Sequence, residues 1–393
     1  MANQSLVLLV SAFCLLQIAT VVGTNVDDIV GFSNDIETQS KSPDGVNDNT
    51  KPNERTTLDC TQFRRDYDIL KSFHFLVPVN PPVTTSKTYA TMNITNHVIE
   101  LTIYNESFVP LNVYCLKNLN MLTILNTDFY QYGLDDQTIR PIPSEIGQLS
   151  LLHTLTIINC PVGRLPDEIG QLLLLTELTI TGSNLKEIPN VIENLSLLQV
   201  LRLSNNQLIL LPSNISRLSS LEILWLDSNR FTSLPSAMSS LTGLNTLYIQ
   251  SNPLTSIDEL NNLYGLQHLY ATSCKIKYLP NNIVSLITLN MAYNNLIDLF
   301  GIGSLGRSSG WKNFDFSYNE IDLIPPEIYN IISNMQSFSV KHNNLTHLPN
   351  EIYYLQNLNT VSLNIGENLF SLDELNTIKA TIVNRLRNVR VTY

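Results

Sequence analysis

The strongest constraint on this chain is a repeat of 23 residues. When Leu175, Leu198 and Leu221 are aligned, three segments share the form LxxLxLxxNxLxxLPxxIxxLxx: LTELTITGSNLKEIPNVIENLSL, LQVLRLSNNQLILLPSNISRLSS and LEILWLDSNRFTSLPSAMSSLTG. About twelve copies can be aligned, starting near Val98, Leu119, Leu152, Leu175, Leu198, Leu221, Leu244, Leu266, Leu286, Trp311, Met335 and Leu358. One copy cannot bury its own apolar face, so the copies must stack on each other.

The LxL segment of each copy predicts a short β-strand. Its two apolar residues point into the core and the residue between them points outward, because side chains alternate along a strand. Successive strands then form a parallel sheet, and the LPxxIxxL segment returns the chain on the other side in a right-handed sense. We expect an α/β solenoid, a curved horseshoe with the parallel sheet on its concave face and short helices or turns on its convex face.

The quoted repeats resemble those of the leucine-rich repeat family, and the resemblance covers roughly 270 residues. The LPxxIxxL form is similar to a subclass found in Ras-linked intracellular scaffolds and several animal receptors. It departs from the plant receptor subclass, because the LxGxIP signature is absent. The resemblance therefore implies the fold, while the subclass alone assigns no partner.

Two positions in each copy are predicted to be architectural. A small polar side chain that can bond the backbone follows each strand. We call this position the ladder; it holds Asn206, Asn229, Asn252, Asn294, Asn319 and Asn343, with Thr127, Cys160, Ser183 and Cys274 in other copies. A proline suited to the first turn of a helix opens the return segment, namely Pro166, Pro189, Pro212, Pro235, Pro280, Pro325 or Pro349.

The regions outside the repeats divide the chain further. Residues 1–23 carry an apolar run before a polar stretch and predict a cleaved secretory signal peptide, with an uncleaved anchor as the alternative. Residues 24–59 predict a disordered polar leader. Residues 60–97 predict an N-terminal cap with a short amphipathic helix, residues 98–365 the repeats, and residues 366–393 a helical C-terminal cap.

The N-terminal run makes a secreted, extracellular protein the simplest prediction, without membrane insertion after signal cleavage. Five Asn-x-Ser/Thr triplets fit that route as glycosylation sites, at Asn93, Asn105, Asn194, Asn214 and Asn344.

Four cysteines follow the predicted signal peptide. We expect a disulfide between Cys60 and Cys115, which lie at either end of the N-terminal cap and first repeat. Cys160 and Cys274 occupy the same ladder position five repeats apart. At about 4.8 Å per strand they would be roughly 24 Å from each other, too far for a bond. We expect both to be buried thiols that weakly mimic the ladder asparagine.

Charge and motifs argue against several functions. The formal net charge is −11 and no basic run occurs, which disfavours a nucleic-acid partner. No metal-ligand spacing, G-x-S-x-G or kinase signature is present. Gly301, Gly303 and Gly306 match G-x-G-x-x-G, but they do not directly follow a strand, so we interpret them as a flexible loop. We expect no enzyme, no cofactor and no metal.

Two segments break the regular repeat. The second copy contains an insertion at residues 130–141, and the ninth replaces its LPxxIxxL segment with FGIGSLGRSSGW. Loops that interrupt a solenoid are either contact sites or tolerated surface insertions, and the sequence does not separate the two.

The residue between the two apolar positions of each strand defines one column across the concave face. This column contains Thr102, Thr123, Thr156, Thr179, Arg202, Trp225, Tyr248, Tyr270, Asn290, Asp315, Ser339 and Ser362. Four consecutive large side chains, from Arg202 to Tyr270, interrupt its small polar residues. Asp227, Gln250 and His268 lie in the neighbouring columns. Aromatic area beside orienting polar groups predicts the centre of a binding surface; the alternative is that the rings only pack on each other.

Several functions remain open at this level. The first is a secreted recognition module that binds a protein or peptide ligand, with or without attached glycan, on its concave face. The second is an extracellular structural protein that self-associates. A hydrolase inhibitor is a third, and an intracellular Ras-type scaffold is a fourth if the N-terminus is not a signal peptide. The oligomeric state does not follow from the sequence.

Overall fold

The computed structural model describes residues 58–81, 87–129, 141–354, 361–385 and 389–393. The chain divides into two units, Met1–Asn53 and Glu54–Tyr393, and all of the described residues belong to the second. The predicted signal peptide, nearly all of the predicted leader and the insertion at residues 130–140 lie outside the described residues.

The described chain forms a single sheet of fourteen strands in sequence order. β1 pairs antiparallel with β2, and each later pair of neighbours is parallel. The strands are β1 Tyr89–Met92, β2 Val98–Tyr104, β3 Met121–Leu125, β4 Thr154–Ile158, β5 Glu177–Thr181, β6 Val200–Arg202, β7 Ile223–Trp225, β8 Thr246–Tyr248, β9 His268–Tyr270, β10 Thr288–Asn290, β11 Lys312–Asp315, β12 Met335–Ser339, β13 Val361–Asn364 and β14 Val389–Thr392. This open parallel sheet is the solenoid that the repeat predicts.

The LxL pattern forms these strands because its apolar residues fill one continuous core. Leu201 pairs in register with Leu224, which in turn pairs with Leu247, and all three are completely buried. A register slip of one residue would move this apolar set to the solvent side, so the pattern fixes the register.

The return segments are mostly 3₁₀ turns, and α-helices are few among the described residues. Turns such as Asp167–Gln171 and Ser213–Arg217 begin directly after a proline. The φ angles of Pro166 and Pro212 are −74° and −65°, which match the fixed ring geometry of proline. The α-helices are α1 Asp66–Lys71, α2 Tyr329–Ile332 and α3 Leu372–Arg385.

The predicted ladder is a hydrogen-bonded column. In each ladder asparagine, Nδ2 donates to backbone carbonyls of its own repeat and the preceding one, as Asn229 does to Leu226 and Leu203. The sulfurs of Cys160 and Cys274 take the same role, donating to the carbonyls of Ile158 and Ile249 at 3.3 and 3.4 Å. Both are buried free thiols, as predicted.

The two ends of the sheet are covered differently. The predicted Cys60–Cys115 disulfide is present, with the two Cα atoms 5.4 Å apart, and α1 lies between these cysteines in sequence. At the other end α3 lies within the segment predicted as a helical cap. The sequence did not predict β14, which pairs with β13 at the edge of the sheet.

The prediction of a flexible loop at Gly301 is wrong in its local structure. Residues Ile302–Ser304 form a 3₁₀ turn, and Ile302 and Leu305 are fully buried in the core. Gly301 and Gly306 have positive φ angles of 89° and 55°, which glycine adopts without steric cost. The glycines thus replace the missing LPxxIxxL segment with a tighter turn. No helix within the described ranges is long and apolar enough to cross a membrane.

Candidate binding surface on the concave face

The register of β6 to β9 places the four large side chains of the concave column side by side. Arg202 pairs with Trp225, Trp225 with Tyr248, and Tyr248 with Tyr270. The rings of Trp225 and Tyr248 lie 4.1 Å apart between centroids, and those of Tyr248 and Tyr270 lie 4.5 Å apart and nearly parallel, at 2°. We call Arg202, Trp225, Tyr248 and Tyr270 the concave stack.

Arg202 ends the concave stack on the side of β5. Its guanidinium carbon lies 5.9 Å from the centroid of the Trp225 ring, within cation–π range. Its Nη1 also lies 3.6 Å from Oε2 of Glu177 on β5. Because both of these charges are partly exposed, the ion pair orients the guanidinium more than it stabilises the fold.

Trp225 is less accessible than its outward-facing position predicts. Only 5% of this residue is exposed, because Arg202 and Tyr248 cover its two sides. Thr102 and Thr179, in the same column, are 7% and 8% exposed. The column is therefore sheltered by its own neighbours, and the accessible parts of the stack are the half-buried Arg202, Tyr248 and Tyr270. The rings pack on each other, as the alternative interpretation held.

Asp227 follows β7 on the same face as Trp225 and is fully buried. Ser204 Oγ donates to its Oδ1 at 2.5 Å, while its Oδ2 has no hydrogen-bond partner. Burial raises the pKa of Asp227 to about 6, although the hydrogen bond from Ser204 acts in the opposite direction. The carboxyl group therefore titrates much closer to neutral pH than an exposed aspartate does.

Two further polar atoms beside Asp227 are buried without a partner: Nε1 of Trp225 and Oε1 of Gln250. Residues 227 and 250 are neighbours across the sheet, since the backbone N–H of Ser228 donates to the carbonyl of Gln250 at 2.9 Å. Buried polar atoms are nearly always hydrogen-bonded, so a group of three on one face is unusual. This group contains one donor, Nε1, and two acceptors.

His268 lies at the start of β9, two residues before Tyr270. Its Nδ1 is 3.0 Å from Thr288 Oγ1, and burial lowers its pKa, so the neutral imidazole is favoured. The predicted site residues thus lie side by side on the concave side of β6 to β9, with Trp225 and Asp227 buried beneath the others. Within the described residues, no group of three or more His, Cys, Asp or Glu side chains could hold a metal ion.

A second aromatic cluster was missed by the sequence analysis. The residue directly before each ladder position has a positive φ angle in every described repeat. We call this position the turn column; it contains Asn105, Asn126, Asn159, Gly182, Asn205, Ser228, Ser251, Ser273, Tyr293, Tyr318, His342 and Glu367. Three successive aromatic rings follow a run of asparagine, serine and glycine. This change of residue type is visible in the sequence, but the positive φ angle that makes it unusual is not.

Comparison with known proteins agrees with the repeat pattern. Residues 167–275 match a family model described as a leucine-rich repeat region. No match was found among curated protein sequences.

Several solved structures share the fold. An internalin from Listeria monocytogenes is 19% identical with a TM-score of 0.53, over 75% of this chain and 86% of that one. A chain in the octameric complex of Latrophilin 3, Unc5D and the leucine-rich repeat region of FLRT2 is 16% identical with a TM-score of 0.58, over 76% and 88%. The ectodomain of the Arabidopsis thaliana receptor kinase GASSHO1/SCHENGEN3 is 24% identical with a TM-score of 0.53, over 73% of this chain but only 40% of its own. At these identities the likeness shows the fold alone.

Proposed function

The chain is a leucine-rich repeat protein, and we propose that it is a secreted recognition module whose concave face binds a protein or peptide ligand. The concave stack supplies the anchoring area. Asp227, Gln250 and His268 supply the polar groups that orient the ligand.

The observation that carries this proposal is the group of unpartnered polar atoms beside the concave stack. Leaving a buried donor or acceptor unpaired costs about 1–3 kcal/mol each. A ligand that pairs these atoms recovers part of that free energy. A peptide group has the complementary chemistry, because its carbonyl can accept from Trp225 Nε1 while its N–H can donate to Asp227 Oδ2 or Gln250 Oε1. Reaching these buried atoms requires the half-buried Tyr248 and Gln250 to shift when the ligand binds.

Related folds supply a precedent for a ligand on such a surface. The structure of GASSHO1/SCHENGEN3 is a complex with CASPARIAN STRIP INTEGRITY FACTOR 2, and FLRT2 lies in a complex with Latrophilin 3 and Unc5D. Those partners belong to those proteins. They support only the general inference that proteins of this architecture can bind polypeptides on their surfaces.

Secretion is supported by three observations. The N-terminal apolar run has the pattern of a signal peptide, and the Cys60–Cys115 disulfide suits an oxidising compartment. Three of the five predicted glycosylation asparagines, Asn105, Asn194 and Asn344, are exposed, and the other two are half-buried. Expression in secretory cells should therefore release the protein into the culture medium, and its mass should fall on treatment with an N-glycosidase.

The binding proposal is tested with the double variant Trp225→Ala/Tyr248→Ala. Purified parent and variant are used to capture partners from native extracellular fluid, and captured proteins are quantified by mass spectrometry. We expect the variant to retain about one hundredth of the parent's specific capture, because it loses the two central rings of the stack. A second variant, Tyr270→Ala, removes only the accessible end ring and should weaken capture without disturbing the buried Trp225.

The matched control replaces two exposed tyrosines of the return segments, Tyr264→Ala/Tyr278→Ala. Circular dichroism and Tm establish that each variant is folded before capture is compared. Capture that survives both the double variant and Tyr270→Ala would show that the concave stack is not the binding site.

A further inference from the structure

The turn column contains an aromatic cluster that is separate from the concave stack. The rings of Tyr293 and Tyr318 stack at 4.3 Å and 6°, and His342 continues the row at 4.6 Å from Tyr318. Glu367 ends the row, with its carboxylate 3.1 Å from His342 Nδ1 and 2.9 Å from Lys341 Nζ. Tyr293, at the opposite end, is 44% exposed.

This cluster is held in an unfavourable backbone conformation. Tyr293, Tyr318 and His342 each have a φ angle of 57°, in the left-handed region that bulky side chains disfavour. Preceding repeats carry Ser251 and Ser273 at the same angle and fold the same turn. The fold therefore does not require aromatic rings here. Strain retained at an exposed position motivates a hypothesis of function.

The two faces of the Tyr293 ring meet different surroundings. Tyr318 covers one face. The preceding member of the turn column is Ser273, which has no ring to stack on the other face, and 44% of Tyr293 is exposed, so we take that face to be open. The nearby surface is polar, since Thr272 Oγ1 donates to Asn290 Oδ1 at 2.9 Å. The open ring face thus borders the hydroxyl and amide groups of Thr272, Ser273 and Asn290, which we call the shelf.

Charge narrows the kind of group that this open face accepts. Lys341 and Glu367 pair with each other at 2.9 Å and lie beyond Tyr318, so neither of these charges selects a group at the open face of Tyr293. The side chains beside that face, Ser273, Thr272 and Asn290, are neutral, and the negative face of the ring disfavours an anion. An aliphatic partner would bury the hydroxyl groups of the shelf without pairing them. A neutral ring with one C–H face and several hydroxyl groups satisfies each of these conditions.

We infer that the open face of Tyr293, with Ser273, Thr272 and Asn290 beside it, is a binding site for a neutral saccharide ring. The C–H face of the sugar stacks on the aromatic ring, and its hydroxyl groups bond the shelf. Tyr318 holds the Tyr293 ring in place from behind. This site adjoins the concave stack, since Asn290 pairs in register with Tyr270, but its aromatic ring is a different one.

The probe is an array of neutral and acidic oligosaccharides applied to the folded, purified protein. The best neutral saccharide is then titrated by calorimetry against the parent and three variants. Tyr293→Ser introduces the residue that neighbouring repeats carry at this φ angle, so its Tm should stay close to that of the parent. We expect its affinity to be at least about tenfold weaker, a loss typical of a stacking contact.

Two control variants separate this site from the rest of the molecule. Tyr278→Ser removes an exposed tyrosine of a return segment and should leave the affinity unchanged. Trp225→Ala/Tyr248→Ala removes the two central rings of the concave stack and should also leave the saccharide affinity unchanged, whatever its effect on protein capture. Failure of the concave binding proposal therefore leaves the saccharide result intact.

Three outcomes would overturn the inference: no binding to any neutral saccharide, a preference for acidic over neutral sugars, or undiminished binding by Tyr293→Ser. If Tyr293→Ser fails to fold, Tyr318→Asn provides the second test. It keeps Tyr293 but removes the ring behind it, and weaker binding is again the expected result.

Discussion

Replacing Asn229 with alanine is expected to lower the free energy of unfolding by about 3–5 kcal/mol, the largest effect of any single substitution considered for this protein. Asn229 is 7% exposed and lies in the middle of the ladder. Its Oδ1 accepts from the backbone N–H of Leu208 at 3.0 Å, and its Nδ2 donates to the carbonyls of Leu203 and Leu226 at 2.9 and 3.0 Å. Alanine can make none of these bonds.

The neighbouring ladder residues determine which of the hydrogen bonds lost with Asn229 is most costly. Leu203 O also accepts from Asn206 Nδ2, and Leu226 O also accepts from Asn252 Nδ2, so both carbonyls keep one partner. The N–H of Leu208 has no such second partner among the described contacts, and it is fully buried. The expected destabilisation therefore comes mainly from one orphaned donor and the space left by the amide.

The chain offers its own control for Asn229. Asn229→Cys reproduces what Cys160 and Cys274 do in their repeats, where the thiol donates to a carbonyl but is only a weak acceptor. We expect it to cost about 2 kcal/mol, between alanine and the parent. Urea unfolding followed by tryptophan fluorescence measures all three proteins. An alanine variant as stable as the parent would contradict the structural role of the ladder.

The fold could be predicted from the sequence because the repeat fixes the register. Once Leu201, Leu224 and Leu247 are assigned to the core, the intervening residues must share the opposite face. That alone brought Arg202, Trp225 and Tyr248 into one row. The low exposure of Trp225 could not be predicted, since it depends on the side-chain conformations of its two neighbours and not on alternation along the strand.

The turn column shows what could not be predicted from the sequence. Tyr293 and Tyr318 precede ladder asparagines, so their place in the repeat is visible in the sequence. Their significance comes from a φ angle of 57° and from ring stacking, which are properties of the folded backbone. Likewise, β14 escaped prediction because its four residues carry no repeat pattern and pair only at the sheet edge. The repeat period shows where a residue lies, whereas backbone strain and the burial of a side chain by its neighbours are visible only in the folded structure.

Replacing Asp227 with asparagine is expected to stabilise the protein by about 3 kcal/mol above pH 6 and by almost nothing below about pH 3. Burial raises the pKa of this aspartate from 3.8 to about 6. Below about pH 3 the carboxyl is protonated in both the folded and the unfolded chain, so it makes no difference to stability. As the pH rises from about 3 to 6, the unfolded chain ionises first, and the folded state becomes progressively less stable.

The neutral amide of Asp227→Asn removes this pH dependence without changing the size of the side chain. Its oxygen still accepts from Ser204 Oγ. Urea unfolding of the parent and the variant at intervals from pH 3 to 7.5 measures the difference, with exposed Asp322→Asn as the matched control. A gap that does not widen with rising pH would refute the raised pKa. If it does widen, the parent keeps at neutral pH a buried carboxylate that makes the fold less stable. Such a loss of stability is expected where a residue serves ligand binding rather than folding.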